Sequence, residues 1–74
     1  MSVNVLFFGS VAEHVGCKSK TMQAGKSLKA RIEELGLADI QPLLVAVNQE
    51  QTHDMDYIVQ DGDEVALMPP FSGG

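Results

Sequence analysis

Two apolar segments near the ends of the chain constrain its fold more than any other feature. Residues 3–8 (Val-Asn-Val-Leu-Phe-Phe) and 63–68 (Asp-Glu-Val-Ala-Leu-Met) have the composition of β-strands. Such runs are typical of central strands that are covered on both faces, and 74 residues suffice for one domain only. We therefore expect these two strands to be neighbours at the centre of one sheet.

The residues between these strands predict two helices, each ending at a glycine. A short helix over residues 11–15 has Ser10 as its expected N-cap. The main helix, over residues 28–35, has Ser27 as its expected N-cap. Its apolar residues Leu28, Ile32 and Leu35 form one stripe, which should pack on the sheet.

Three further β segments are expected: an edge strand at residues 18–22, a strand at 43–47 and a short one at 51–52. The irregular residues 54–60 should be anchored in the core by Tyr57 and Ile58, and Asp61-Gly62 should form the turn before the last strand. A mixed sheet with one main helix on one face is the α+β arrangement called the β-grasp, or ubiquitin-like, fold. The predicted domain comprises residues 1–68, and residues 69–74 form an extended C-terminal tail.

Charge and cysteine content narrow the classes of partner. Residues 1–31 carry a net charge of +4 and residues 32–74 one of −9. An acidic half argues against nucleic-acid binding. The single cysteine, Cys17, excludes an internal disulfide, and no apolar run approaches the ~18 residues of a membrane span. We expect a soluble, cytoplasmic protein with no nucleic-acid or membrane partner.

Side chains capable of catalysis are few. His14, Cys17 and His53 do not have the spacing of a zinc site, so we expect no metal. Alternation in the first strand sends Val3, Val5 and Phe7 to one face and Leu6 and Phe8 to the other. One helix covers one face only, so Leu6 or Phe8, with Met68 and Phe71, would form an exposed apolar patch. A second small core beneath residues 54–60 is the alternative.

The chain ends in Pro69-Pro70-Phe71-Ser72-Gly73-Gly74. Paired prolines end the strand and hold the chain extended, and glycine fits narrow active sites because it has no Cβ. The tail is therefore either a frayed terminus or a thin stalk that presents its terminal carboxylate to a partner's active site. An activated carboxylate could pass its acyl group to a nucleophile or exchange an oxygen for sulfur.

Four segments in order resemble one family. They are Val5-Leu6-Phe7-Phe8-Gly9, Val45-Ala46-Val47-Asn48, Asp61-Gly62-Asp63-Glu64-Val65 and the terminal Pro-Pro-Phe-Ser-Gly-Gly. Together they are similar to the small subunit of molybdopterin synthase, the MoaD type of the MoaD/ThiS sulfur carriers. The chain is short for this family around the main helix.

The resemblance implies a sulfur carrier that binds no cofactor and is not itself catalytic. An enzyme like ubiquitin-activating enzymes would adenylate Gly74 with ATP, and a sulfur donor would convert it to a thiocarboxylate. With Gly73 as its slender neck, the tail would deliver sulfur to precursor Z within a heterotetramer with the large subunit. The implied partner-binding residues are Phe8, Met68, Pro70, Phe71 and Ser72, and Met68 departs from the aromatic residue common at its position.

Three alternatives remain at this point. The same chemistry would serve a carrier for thiamine thiazole synthesis. A ubiquitin-like modifier would instead be conjugated to lysines through Gly74. A plain interaction domain would have an inert tail.

Overall fold

The structure, a computed structural model, describes residues 2–40 and 43–70. These residues form five strands and two helices. They are β1 (Ser2–Phe7), α1 (Gly9–Val15), β2 (Ser19–Gln23), α2 (Leu28–Glu34), β3 (Leu44–Val47), β4 (Glu50–Thr52) and β5 (Glu64–Met68).

The first and last strands are neighbours at the centre of the sheet, as predicted. The strand order is β2-β1-β5-β3-β4, and β1 and β5 are parallel, with Val5 beside Val65 and Phe7 beside Leu67. The other neighbouring strands are antiparallel. The predicted β-grasp fold is therefore confirmed.

One core lies between the sheet and both helices, on the side that we call the inner face. Alternate residues of the strands contribute to it, together with buried residues of α1, α2 and the connecting loops. Its buried members are Val3, Val5, Phe7, Val11, Met22, Leu28, Leu37, Val45, Val59, Val65 and Leu67.

The prediction that β1 is covered on both faces was wrong. Ser2, Asn4 and Phe8 are exposed and Leu6 is half-buried, whereas the alternate residues of the strand are buried. Both helices pack on the inner face, so no element of the described chain covers the opposite face, which we call the outer face.

The two predicted helix starts have different outcomes. Ser10 lies inside α1, and Phe8 occupies the N-cap position without a side-chain hydrogen bond. The N–H of Phe8 still donates to the carbonyl of Leu67, so the helix begins where the β1–β5 ladder ends. The predicted cap of α2 is confirmed: the Ser27 hydroxyl oxygen accepts a hydrogen bond from the N–H of Ala30 at 3.1 Å.

The expected stripe of α2 also contains a charged residue. Arg31 is only 5% exposed and joins the helix to β2, because its guanidinium donates to the Gln23 carbonyl and to Glu34. Two of its nitrogens are thus paired, which offsets part of the cost of burying the charge. Lys26 also contacts Glu34, and this hydrogen bond lowers the pKa of the Glu34 carboxyl.

Tyr57 packs against the core as predicted. The prediction that Ile58 is also anchored in the core was wrong. Ile58 is 45% exposed, and the next residue, Val59, is fully buried. Backbone bonds fix this phase, because the Val59 N–H donates to the Lys26 carbonyl and the Gly25 N–H donates to the Val59 carbonyl, both at 2.9 Å.

Asp63 joins three segments that precede the last strand. Its carboxylate accepts hydrogen bonds from the Asn48 amide (2.9 Å), the Tyr57 hydroxyl (2.7 Å) and the Gln60 N–H (2.8 Å). These bonds, that from Asn48 foremost, lower the pKa of Asp63, and the bond to Asp63 raises the pKa of Tyr57. The acidic turn therefore has a structural role, which agrees with its prediction as a turn.

We expect Asp63→Asn to lower the free energy of unfolding by about 1–3 kcal/mol at pH 7, because an amide cannot accept all three bonds. The folded-state pKa of Asp63 is lowered. The ionised Asp63 carboxylate therefore contributes stability at pH values above its unfolded-state pKa. This contribution is lost as the pH falls through its folded-state pKa. Urea unfolding at pH 7 and at about pH 2 should show the difference between wild type and variant shrinking in acid.

Asp56→Asn is the control, since Asp56 is an exposed carboxylate nearby. An equal loss of stability in both variants at pH 7 would contradict this role of Asp63.

Candidate functional site

The end of β5 is held against the end of β1. The Phe8 N–H donates to the Leu67 carbonyl at 3.1 Å, which extends the parallel ladder by one residue. Gly9 has a φ of +54°, and a Cβ there would lie 3.1 Å from Cγ of Pro69. Pro69 is half-buried and Pro70 is exposed. The chain thus leaves the middle strand of the sheet at Pro69, closely packed against Gly9.

An apolar surface lies beside this exit, on the outer face. Leu6 of β1 is next to Ala66 of β5, which is next to Ala46 of β3. One step closer to the exit, Met68 pairs with Leu44, and Phe8 follows Leu6 by two residues. We call these six residues the outer apolar patch: Leu6, Phe8, Leu44, Ala46, Ala66 and Met68.

The patch combines a small-residue centre with large side chains around it. Phe8 is 47% exposed, while Ala46 is only 8% exposed although it is not part of the inner core. A groove of about 640 Å³ adjoins Phe8 and is lined also by Leu6 and Ala12. Toward the start of β5 the outer face becomes polar, with Asn4 paired to Glu64. The apolar part is therefore confined to the end from which the tail leaves.

The predicted patch residues Leu6, Phe8 and Met68 come together on this surface. The alternative of a second core beneath residues 54–60 was wrong, because Met55, Tyr57 and Val59 pack against the inner core. Pro70 lies next to the patch in sequence and is exposed. The remaining predicted site residues, Phe71, Ser72, Gly73 and Gly74, lie outside the described residues.

Leu44, Ala46 and Ala66 were missed as members of the patch. Their positions follow from the register of β3 and β5 with β1, which a single sequence does not give. Alternation within the last strand does separate Ala66 and Met68 from the buried Val65 and Leu67, and it could have identified Ala66.

The other candidate side chains do not form a site in the described chain. His14, Cys17 and His53 are exposed. Within residues 2–40 and 43–70, no three His, Cys, Asp or Glu side chains are placed to hold a metal ion. None of the helices in these ranges has the length and hydropathy to span a membrane.

Comparison with known proteins assigns the chain to a family. The model of the ThiS family matches residues 5–74. The chain belongs to the ThiS family. A curated relative, the human "molybdopterin synthase sulfur carrier subunit", is 37% identical over 82 aligned positions, which cover 97% of this chain and 93% of the human protein. This ThiS-family chain is therefore similar to sulfur carrier subunits over nearly its whole length.

Two solved structures have the same fold. Subunits 1 and 2 of the molybdopterin-converting factor of Helicobacter pylori form a complex that contains a chain 29% identical to this one, with full coverage of both chains and a TM-score of 0.70. SAMP1 of Haloferax volcanii matches with a TM-score of 0.78 at 21% identity and full coverage. The second likeness supports the fold only.

Phe7 and Phe8 provide a matched test of the two faces of the sheet. Phe7 is 3% exposed in the core and Phe8 is 47% exposed. We expect Phe7→Ala to cost about 3–5 kcal/mol of unfolding free energy and Phe8→Ala no more than about 1 kcal/mol. Urea denaturation followed by far-UV circular dichroism measures both, and equal losses would show that Phe8 is needed for folding.

Proposed function

We propose that this chain is the sulfur carrier subunit of molybdopterin synthase and that Gly74 carries the sulfur. The family match, which extends through the terminal Gly-Gly, is the observation that carries this proposal. The name and 37% identity of the human relative support the molybdopterin pathway. The chain is the sulfur-donating, non-catalytic subunit of a sulfurtransferase.

The chemistry takes place at the terminal carboxylate. Its oxygen attacks the α-phosphate of ATP within the activating partner, which releases pyrophosphate and leaves an acyl-adenylate. Hydrosulfide supplied by the donor then attacks the acyl carbon and displaces AMP, and the product is the thiocarboxylate. Each thiocarboxylate transfers one sulfur to precursor Z, and water supplies the oxygen that restores the carboxylate. The dithiolene contains two sulfur atoms and therefore requires two such transfers.

In this proposal the domain comprises residues 1–68 and the tail residues 69–74. Pro69 and Pro70 follow the middle strand of the sheet, and six extended residues reach roughly 20 Å. That length is sufficient to bring a terminal glycine into the active site of a partner while the domain remains on its surface. Glycine at positions 73 and 74 would keep the tail narrow.

The outer apolar patch is the proposed contact with the large synthase subunit. Exposed apolar surface of this kind marks partner sites, and it adjoins the exit of the tail. The Helicobacter pylori complex of subunits 1 and 2 supports a large-subunit partner. We further propose a heterotetramer with two large subunits at its centre, a separate activating enzyme that uses ATP, and a cytoplasmic location for this chain.

Sulfur loading tests the proposed chemistry directly. Incubation with a molybdopterin-synthase activating enzyme, ATP and a sulfur donor should increase the intact mass by the difference between sulfur and oxygen. Deletion of Gly74 should abolish this change and leave the unfolding midpoint unaltered, because the last residues of a domain generally add little stability. Attachment of the chain to lysines of other proteins would instead support a modifier, and delivery of sulfur only to a thiazole precursor would support a thiamine carrier.

Binding to the large subunit tests the patch. Phe8→Asp places a charge at the most exposed aromatic position of the patch, and we expect the dissociation constant from a molybdopterin synthase large subunit to rise about 30-fold or more. Ile58→Asp is the matched control, since Ile58 is equally exposed at 45% but lies outside the patch. Calorimetric titration in which both variants bind alike would locate the interface elsewhere.

A further inference from the structure

The free edge of β2 has unused backbone hydrogen-bonding groups. The Phe7 N–H donates to the Lys18 carbonyl at 2.9 Å, and the β1–β2 register continues this pairing to Val5–Lys20 and Val3–Met22. In an antiparallel pair, residues that bond to the neighbouring strand alternate with residues that point away. Ser19, Thr21 and Gln23 therefore direct their N–H and carbonyl groups away from β1.

Arg31 occupies the outward carbonyl at the Gln23 end of this edge and leaves the groups of Ser19 and Thr21 unoccupied. Its guanidinium donates to the outward carbonyl of Gln23, which agrees with the alternation. Among the described residues no strand pairs with the free edge of β2, which lies at one end of the sheet order. Ser19 and Thr21 thus present two donors and two acceptors, spaced two residues apart along one edge.

Two lysines give this edge its charge. Lys18 and Lys20 are exposed, and in the described chain neither takes part in an ion pair. Because side chains alternate along a strand, those of Lys18 and Lys20 project on the inner face of the sheet and those of Ser19 and Thr21 project on the outer face. The edge is therefore a local basic strip on a protein whose net charge is −5.

The groove beside Phe8 reaches the same edge. Leu6 and Phe8 line it, as do Lys18 and Ser19, and Glu13 of α1 adds one carboxylate to the lining. If an extended chain paired with β2, its residue opposite Ser19 would direct its side chain toward these apolar groups on the outer face. The two residues on either side of it would direct their side chains toward the lysines. This arrangement selects an alternating acidic–apolar–acidic sequence.

We propose that β2 is a docking edge for an acidic extended segment of a partner protein, which adds to the sheet as a sixth, antiparallel strand. The apolar residue pairs with Ser19, and the two acidic residues pair with Lys18 and Lys20. Main-chain bonds at Ser19 and Thr21 hold the strand, as in other strand additions to a free sheet edge. The same lysines oppose pairing of β2 with a second copy of itself, because like charges would approach each other.

A polyanion such as nucleic acid could also approach two lysines, but it would leave the outward N–H and carbonyl groups unused. The free backbone groups are the observation that favours a peptide. This proposal is independent of the sulfur chemistry, because it requires neither Gly74 nor the tail.

The test uses the full chain labelled with ¹⁵N and the synthetic peptide Gly-Ser-Asp-Val-Asp-Val-Asp-Ser-Gly. We expect saturable amide shifts centred on β2, slower hydrogen exchange at the Ser19 and Thr21 amides, and weaker binding as salt is raised. A second peptide, Gly-Ser-Asp-Asp-Val-Val-Asp-Ser-Gly, has the same composition but contains no acidic–apolar–acidic triplet. It should bind more weakly, because each register of its central residues places either an acid beside the groove or an apolar group beside a lysine.

Two variants and one control distinguish the contribution of the lysine charge from that of the backbone N–H groups. Lys20→Glu should weaken binding of the first peptide about three- to tenfold, whereas Lys29→Glu, the same reversal at an exposed residue of α2, should have little effect. Thr21→Pro removes one outward N–H, a substitution that edge strands tolerate, and it should also weaken binding while the circular dichroism spectrum is retained.

The proposal is overturned if neither peptide binds at millimolar concentration, if the shifts map to β4 or to the patch residues of β3 and β5, or if the two lysine variants bind alike. Binding of heparin that depends on Lys20, without exchange protection of Ser19 and Thr21 by the peptide, would identify a polyanion site instead. Concentration-dependent self-association through β2 in sedimentation experiments would equally contradict it.

Discussion

The parallel pairing of β1 with β5 is the interaction on which the rest of the structure depends. It places the first and last strands of the described chain side by side, and each strand then takes one antiparallel partner. Contacts near residue 62 set its register: the Ser2 N–H donates to Asp61 Oδ1 at 2.8 Å, and the Gly62 N–H donates to the Ser2 carbonyl at 2.9 Å. The acidic turn therefore aligns the strand from which the tail leaves.

This alignment also sets the relative positions of the two surfaces proposed to bind partners, which meet at the groove lined by Leu6 and Phe8. With β5 in the middle of the sheet, the outer apolar patch and the tail exit lie together near its end, while β2 is two strands away at the edge. The patch is apolar, and the β2 edge offers lysines and unpaired backbone groups. Their different chemistry would let a large, flat apolar surface and a narrow acidic segment be recognised by different parts of one small domain.

The sequence was sufficient to predict the arrangement of strands, since apolar composition distinguishes β1 and β5 from the polar edge strand. It was less informative where tertiary bonds decide the phase. Val59 is buried instead of Ile58 because its backbone bonds to Lys26 and Gly25. Arg31 could have been noticed, because it follows Leu28 by three residues and so lies on the apolar stripe. Gly73 and Gly74 were predicted as site residues from the sequence alone; they lie outside the described residues, and their role stays a prediction.

The position of β5 has a mechanical consequence for the role proposed for the C-terminus. A partner that draws on the tail pulls along the axis of β5, which is hydrogen-bonded on both sides, to β1 and to β3. Such a load shears two ladders at once, so many bonds resist together, whereas a terminal edge strand could be peeled away one bond at a time. The domain can thus be held firmly by its tail and released intact.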